Sequence, residues 1–260
     1  MKAADLVPRF LLPSVSALLA RTPPDGHIEA VTGISREDWR RLGRAFPRLG
    51  EDPGPEAARA RRRAHFLVGR ALASARHAPR WRGGPVEPRP VLYATAHFGD
   101  LRALRYLLRT RVPVANVVST PHYQRLDIAR EDEAFDARFP GDFPHAFFSG
   151  HAHRLRAALR RGSLVITTDI PKPGAPAFPC LGGQIALDPR PFRLARLCRV
   201  PCRALFATAP DGRLTITVGD ELPGDEDAAL AAFAGLFARV ADEAPFEIDA
   251  RTWAARLGGP

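Results

Sequence analysis

Lysine is almost missing from this chain. It occurs only at Lys2 and Lys172, so nearly all of the 38 basic residues set against 28 acidic ones are arginine. The resulting net charge of +10 attracts nucleic acid, anionic membranes and acidic substrates alike. A near-pure arginine excess is equally what a GC-rich genome produces without selection for binding. Cysteine is scarce too: Cys180, Cys198 and Cys202 are odd in number and form no C-x-x-C or zinc-finger spacing. That fits a reduced, cytoplasmic-side protein with packing cysteines, Cys198 and Cys202 being four apart on what could be one helix face. Long apolar runs are also absent. Phe10 to Ala20 is about half the ~20 residues of a membrane-spanning helix and contains Pro13. Its apolar residues nevertheless recur at helical spacing beside Arg9 and Arg21, which suits either a helix packed on the domain or one resting on a membrane. The glycine spacings of dinucleotide and P-loop sites, a G-x-S-x-G elbow, and helix-turn-helix or aromatic RNA-binding patterns are all missing. Those enzyme classes are excluded, and no nucleic-acid partner is expected.

What remains is an ordinary globular composition, 45% apolar and 25% charged, in a chain long enough to bury a substantial core. Ser35 is placed to cap a helix from Arg36, and after a Gly/Pro break at 50–55 a second helix is expected from Glu56 to about Ala78. The run Arg59, Arg61, Arg62, Arg63 in that helix reads as a solvated face or as a contact with an anionic surface. Strands are expected at 91–96, 112–119, 163–168 and 202–207. A further strand at 213–218 should follow the Asp211-Gly212 turn as a hairpin partner. Helices are expected after Asp100, within 121–142, and at 152–161, 192–199 and 226–243, with 171–191 a long Pro/Gly-rich loop. The alternation predicts a single α/β domain: a mostly parallel mixed sheet with helices on both faces and an N-terminal helical extension.

In such sheets the working site lies beyond the carboxyl ends of the strands. His97, Ser119 and Asp169 all fall at predicted strand ends, and His97 stands at a strand-to-helix turn. A histidine there can serve as a general base, with nearby helix N-terminal amides to stabilise developing negative charge. His151-x-His153 has no matching carboxylate or cysteine nearby, so no metal is expected.

The segment Ala96-His97-Phe98-Gly99-Asp100 resembles the His-Phe-Gly-Asn segment of the lipid A (lauroyl/myristoyl) acyltransferases, within the lysophospholipid acyltransferase superfamily. Leu159 to Gly162 followed by Val165 to Asp169 is similar to that family's helix, glycine, strand and Asp-Gln segment. Phe178 to Gly183 resembles its phenylalanine-glycine loop, Leu194 to Pro201 its following helix and turn, and Pro245-Phe246 through Trp253 its closing segment. The resemblance spans roughly residues 60–255 and rests on the order of short motifs. It implies transfer of a fatty acyl group from an acyl thioester, on acyl carrier protein or acyl-CoA, to a hydroxyl of a lipid or glycolipid, without a cofactor. It also implies a peripheral location at the cytoplasmic face of the inner membrane, with an anionic membrane surface as partner. Residues 1–55 are then an N-terminal helical segment able to meet the membrane, and 56–260 the acyltransferase-like domain.

By the resemblance His97 is the base, and an acid five positions later should orient it. Arg102 stands there instead and cannot accept a hydrogen bond from the imidazole. Asp100 is the only acid in the segment, and either takes over as the catalytic partner or merely caps the helix. Ser119-Thr120 replaces an arginine that holds substrate, for which Arg125 is the expected substitute. Asp169 keeps the acid of the Asp-Gln segment, with Ile170 in place of the glutamine. Asp169, Arg125, Phe178 and Gly182 are the expected substrate-side residues. The departures leave two readings open, an active acyltransferase and a degenerate member that binds a lipid or acyl carrier.

Overall fold

A computed structural model of the chain describes residues 29, 32, 34–73, 78–108, 114–118, 146–148, 152–170 and 173–257. The expected helix within 121–142, Arg125, His151 and the apolar segment at 10–20 lie outside the described residues.

Helix α1 (Arg36–Ala45) begins where Ser35 accepts a hydrogen bond from the Asp38 N–H, with Glu37 and Asp38 in the positive first turn. Helix α2 (Gly54–Ala73) follows the Gly/Pro break. Then come β1 (Arg80–Gly83), β2 (Leu92–Thr95), α3 (Leu101–Leu107), β3 (Val114–Val118), β4 (Ala146–Phe148), α4 (Ala152–Leu159) and β5 (Ser163–Thr167). A hairpin of β6 (Ala177–Cys180) and β7 (Gly183–Ala186) leads to α5 (Arg190–Cys198), β8 (Cys202–Thr208), β9 (Thr215–Glu221), α6 (Glu226–Glu243) and α7 (Ala250–Leu257).

Among the described residues seven strands form one sheet in the order β1-β9-β8-β2-β5-β3-β4. Strands β8, β2, β5, β3 and β4 run parallel; β9 is antiparallel to β8, and β1 runs with β9. The architecture is the expected mostly parallel mixed α/β sheet. The central strands β2 and β8 are buried along their whole length because both faces are covered. On one face Leu92, Ala94, Leu164, Ala204 and Phe206 pack beneath α1, α5, α6 and α7. On the other, Tyr93, Val165, Leu205, Ala207 and Ile216 meet Val68 of α2 and Leu104 and Leu107 of α3. The N-terminal helix shares this core, since Trp39 and Leu42 of α1 are fully buried in the same cluster as Trp253.

The structure differs from the sequence expectation at several points. The 171–191 segment carries the β6–β7 hairpin rather than an open loop. Its two-residue turn places both Leu181 (φ 51°) and Gly182 (φ 80°) in the left-handed region, as a type I′ turn requires. Residues Arg80–Gly83 form an edge strand with no buried face to betray it. Cys198 and Cys202 do not share a helix face: α5 ends at the left-handed Arg199, and Cys202 opens β8. Burial pushes the thiols of Cys180 and Cys202 up to about 12, so both behave as packing residues.

Candidate active site

Strands β2 and β5 are neighbours, paired parallel with Leu92 opposite Leu164 and Thr95 opposite Thr167. Continuing that register two residues past each strand brings His97 beside Asp169. The Asp169 carboxylate is fully buried, and its Oδ1 lies 2.8 Å from His97 Nδ1 and accepts the His97 backbone N–H at 3.0 Å. An oxygen that already accepts one N–H and belongs to a carboxylate is an acceptor for the ring as well. Nδ1 therefore carries the proton and Nε2 the basic lone pair. The acid at Nδ1 is thus Asp169, held in a substrate-side role by sequence reasoning, which left Asp100 either as the partner or as a helix cap. Asp100 is buried at the start of α3, where its carbonyl accepts from Ala103 N–H.

The turn that presents His97 is fixed on three sides. Phe98 N–H donates to the Ala96 carbonyl, which makes His97 the apex of a three-residue turn. Gly99 N–H donates to the Glu247 carbonyl at 2.6 Å, Asp100 N–H to the Ala207 carbonyl at 2.9 Å, and Asp249 N–H to the His97 carbonyl at 2.9 Å. Phe98, with no exposed surface, packs edge-on against Phe237 of α6 at 5.5 Å. The amides of residues 98–100 are thus committed to backbone acceptors and are not available to a developing oxyanion.

On the Asp169 side, Thr168 donates both its N–H and its hydroxyl to the Thr95 carbonyl, locking the two strand ends together. Asp188 N–H caps the Thr168 carbonyl, and the Asp188 carboxylate accepts from Arg190 Nε at 2.7 Å. Cys180 lies close enough for the Asp169 charge to help raise its thiol. Phe178 is half-buried against the core, and Gly182 forms the hairpin turn beside Pro47 and Arg48. Of the expected site residues, His97 and Asp169 are brought into contact. Phe178 and Gly182 belong to the hairpin, and Arg125 lies outside the described residues. Among the described residues no three His, Cys, Asp or Glu side chains gather as metal ligands.

Sequence reasoning missed Glu247. Only 8% exposed, it accepts the Ala209 N–H through Oε1 at 2.6 Å, while Oε2 is buried without a partner. Burial, with smaller contributions from Asp100 and Asp211, pushes its carboxyl up to about 7, against the opposing pull of the Ala209 N–H and Arg63. The folded protein therefore retains a proton that the unfolded chain releases near 4.5, so this group's contribution to stability falls as pH rises toward 7 and is constant above. At about 1.4 kcal/mol per pKa unit the loss amounts to about 3 kcal/mol. Glu247→Gln is expected to be more stable than the parent by about that amount at pH ~8 and equal to it near pH ~4, as read by urea unfolding at the two pH values.

Neither known protein-family models nor curated proteins match the chain. The functional reading therefore stands on the geometry of the His97 turn and its neighbours.

Proposed function

We propose that the chain is an O-acyltransferase that moves a fatty acyl group from an acyl thioester, on acyl carrier protein or coenzyme A, to a hydroxyl of a lipid or glycolipid. The observation that carries this reading is the His97–Asp169 pair at the carboxyl ends of adjacent parallel strands. Its geometry is that of a base held by a buried carboxylate. His97 Nε2 takes the acceptor hydroxyl proton as the oxygen attacks the thioester carbonyl. The tetrahedral intermediate then collapses with loss of the thiolate, to which the imidazolium returns the proton. Asp169 stabilises that imidazolium and fixes its tautomer. No described helix is long and apolar enough to cross a membrane. In this reading lipid substrates are met by a peripheral protein at the cytoplasmic membrane face, a location supported by the arginine excess, which favours an anionic surface.

The second reading, a degenerate member that binds a lipid or acyl carrier without turnover, is favoured by the committed amides of residues 98–100. One assay separates the two: transfer from labelled acyl carrier protein or acyl-CoA to a bacterial lipid extract. His97→Ala is expected to lower transfer by about 10²- to 10⁴-fold, the usual contribution of a general base. Full activity in that variant removes the mechanism, and no turnover by the natural protein with either donor favours the binding role.

A further inference from the structure

Beside the His97 turn, and separate from its dyad, a cleft of about 290 Å³ opens between α2 and the segment around Pro245. The helix contributes Glu56, Arg59, Ala60 and Arg63, the i, i+3, i+4, i+7 face, so two members of the arginine run turn into the cleft while Arg61 stays exposed. Glu247 closes the cleft from the other side, with Pro210 and Glu243 on its rim. The two rim carboxylates are already matched, Glu56 to Arg59 Nη2 and Glu243 to Arg82 Nη1. Among the described residues, Arg59 Nε is buried with no acceptor, Arg63 reaches the Pro210 carbonyl at a long 3.4 Å, and Glu247 Oε2 is buried with no partner. Buried polar groups are ordinarily satisfied, so two buried groups short of partners in one cleft, with the weakly bonded Arg63 on its wall, point to a ligand that satisfies them. Because Oε1 of Glu247 is taken by the Ala209 N–H, its proton sits on Oε2. All three groups are then donors, and the complementary ligand is an oxyanion with several acceptor oxygens.

We propose that this cleft is a phosphoryl-binding site, in which Arg59, Arg63 and the Glu247 carboxyl donate to the oxygens of a phosphate ester. The site itself does not depend on acyl transfer. Only the source of the phosphate rests on the proposed function: the donor carrier and a phosphorylated acceptor headgroup both bear one. Charged groups facing the Glu247 carboxyl are Arg63 from α2, Asp100 from the start of α3 and Asp211 from the β8–β9 turn. Arg59, Glu56 and Glu243 complete the charged lining. Ionisation of Glu247 replaces a donor by a like charge, so affinity falls as pH rises through about 7.

The test is calorimetric titration of the full chain with inorganic phosphate, and with sulfate for the pH arm, since sulfate keeps its charge near neutrality. Arg63→Gln is expected to weaken phosphate binding about tenfold or more, and Arg61→Gln to leave it unchanged. Glu247→Gln keeps a donor and is expected to bind sulfate equally well at pH ~6 and pH ~8.5, whereas the parent binds it more weakly at the higher pH. Circular dichroism confirms that each variant is folded. No saturable phosphate binding, or equal losses in Arg61→Gln and Arg63→Gln, overturns the site, and pH dependence persisting in Glu247→Gln overturns the role of that carboxyl. Tighter binding of coenzyme A than of glycerol 3-phosphate assigns the phosphate to the donor, and the reverse order to the acceptor. Failure here leaves the His97 assay untouched, and a failed acyl-transfer assay leaves phosphate binding standing.

Discussion

Asp169→Asn is expected to fold like the parent and to lose the proposed acyl transfer by about 10⁴-fold in kcat, the scale seen when the carboxylate behind a catalytic histidine becomes an amide. Asp169 Oδ1 serves the His97 backbone N–H and Nδ1 together. An amide oxygen in its place satisfies the backbone donor but leaves the imidazolium without a counter-charge. If the amide turns its NH₂ toward Nδ1 instead, the ring must carry its proton on Nε2, where no base remains. Asp100→Asn, assayed beside it, is expected to cost far less, because the carboxylate at Nδ1 comes from β5. Equal losses in the two variants would return the partner role to Asp100. The comparison is made by single-turnover acyl transfer, which isolates chemistry from product release.

Gly99→Ala is expected to be the most damaging single methyl group in the site region. Gly99 has φ +69°, and a Cβ there would stand 1.9 Å from the Ala207 carbonyl oxygen and 2.9 Å from its carbon. Both atoms belong to the backbone of β8 and cannot swing aside. Relief requires the turn to lift off the sheet, breaking the Asp100 N–H bond to that same carbonyl. A loss of about 4 kcal/mol or more is expected in denaturant unfolding. Gly50→Ala is the control. That residue has φ +81° and ψ −178°, a backbone conformation costly for any side chain, but open space around it, so only the backbone penalty of about 1–3 kcal/mol should appear. A similar small loss in both variants would show that close approach at Ala207 does not hold the turn.

The parts of the fold legible in the sequence are those whose signals are local. Helix α6 occupies the expected 226–243 because Asp225 accepts from the Ala228 N–H at its start and an apolar face runs its length. The β8–β9 hairpin follows from Asp211-Gly212 between two apolar runs, with Gly212 at φ 77°. By contrast, β1 is an edge strand of charged and small residues without alternation, and β4 spans three residues, too few for any period to register. The β6–β7 hairpin hides in a Pro/Gly-rich segment, its turn made by Leu181, a residue seldom found at positive φ. The same division applies to the site. His97 is legible as a residue at a strand-to-helix turn. Its pairing with Asp169 is not, because it depends on which strand lies next to β2 and in what register, across 72 residues. Glu247 escapes for a similar reason: its isolation is made by α2 and the end of β8, far away in the chain.

The three-sided anchoring of the His97 turn also sets the order in which this protein matures on the ribosome. The neighbours of β2 are β5 and β8, so its hydrogen-bonding partners are translated long after it, and contacts of such sequence separation make folding slow. The last bonds to the turn come from Glu247 and Asp249, far downstream of it in the chain. A nascent chain halted before them carries His97 and Asp169 without the clamp that aims them. Competence for the proposed chemistry therefore waits for residues 247–249, and translation products that stop before them are silent.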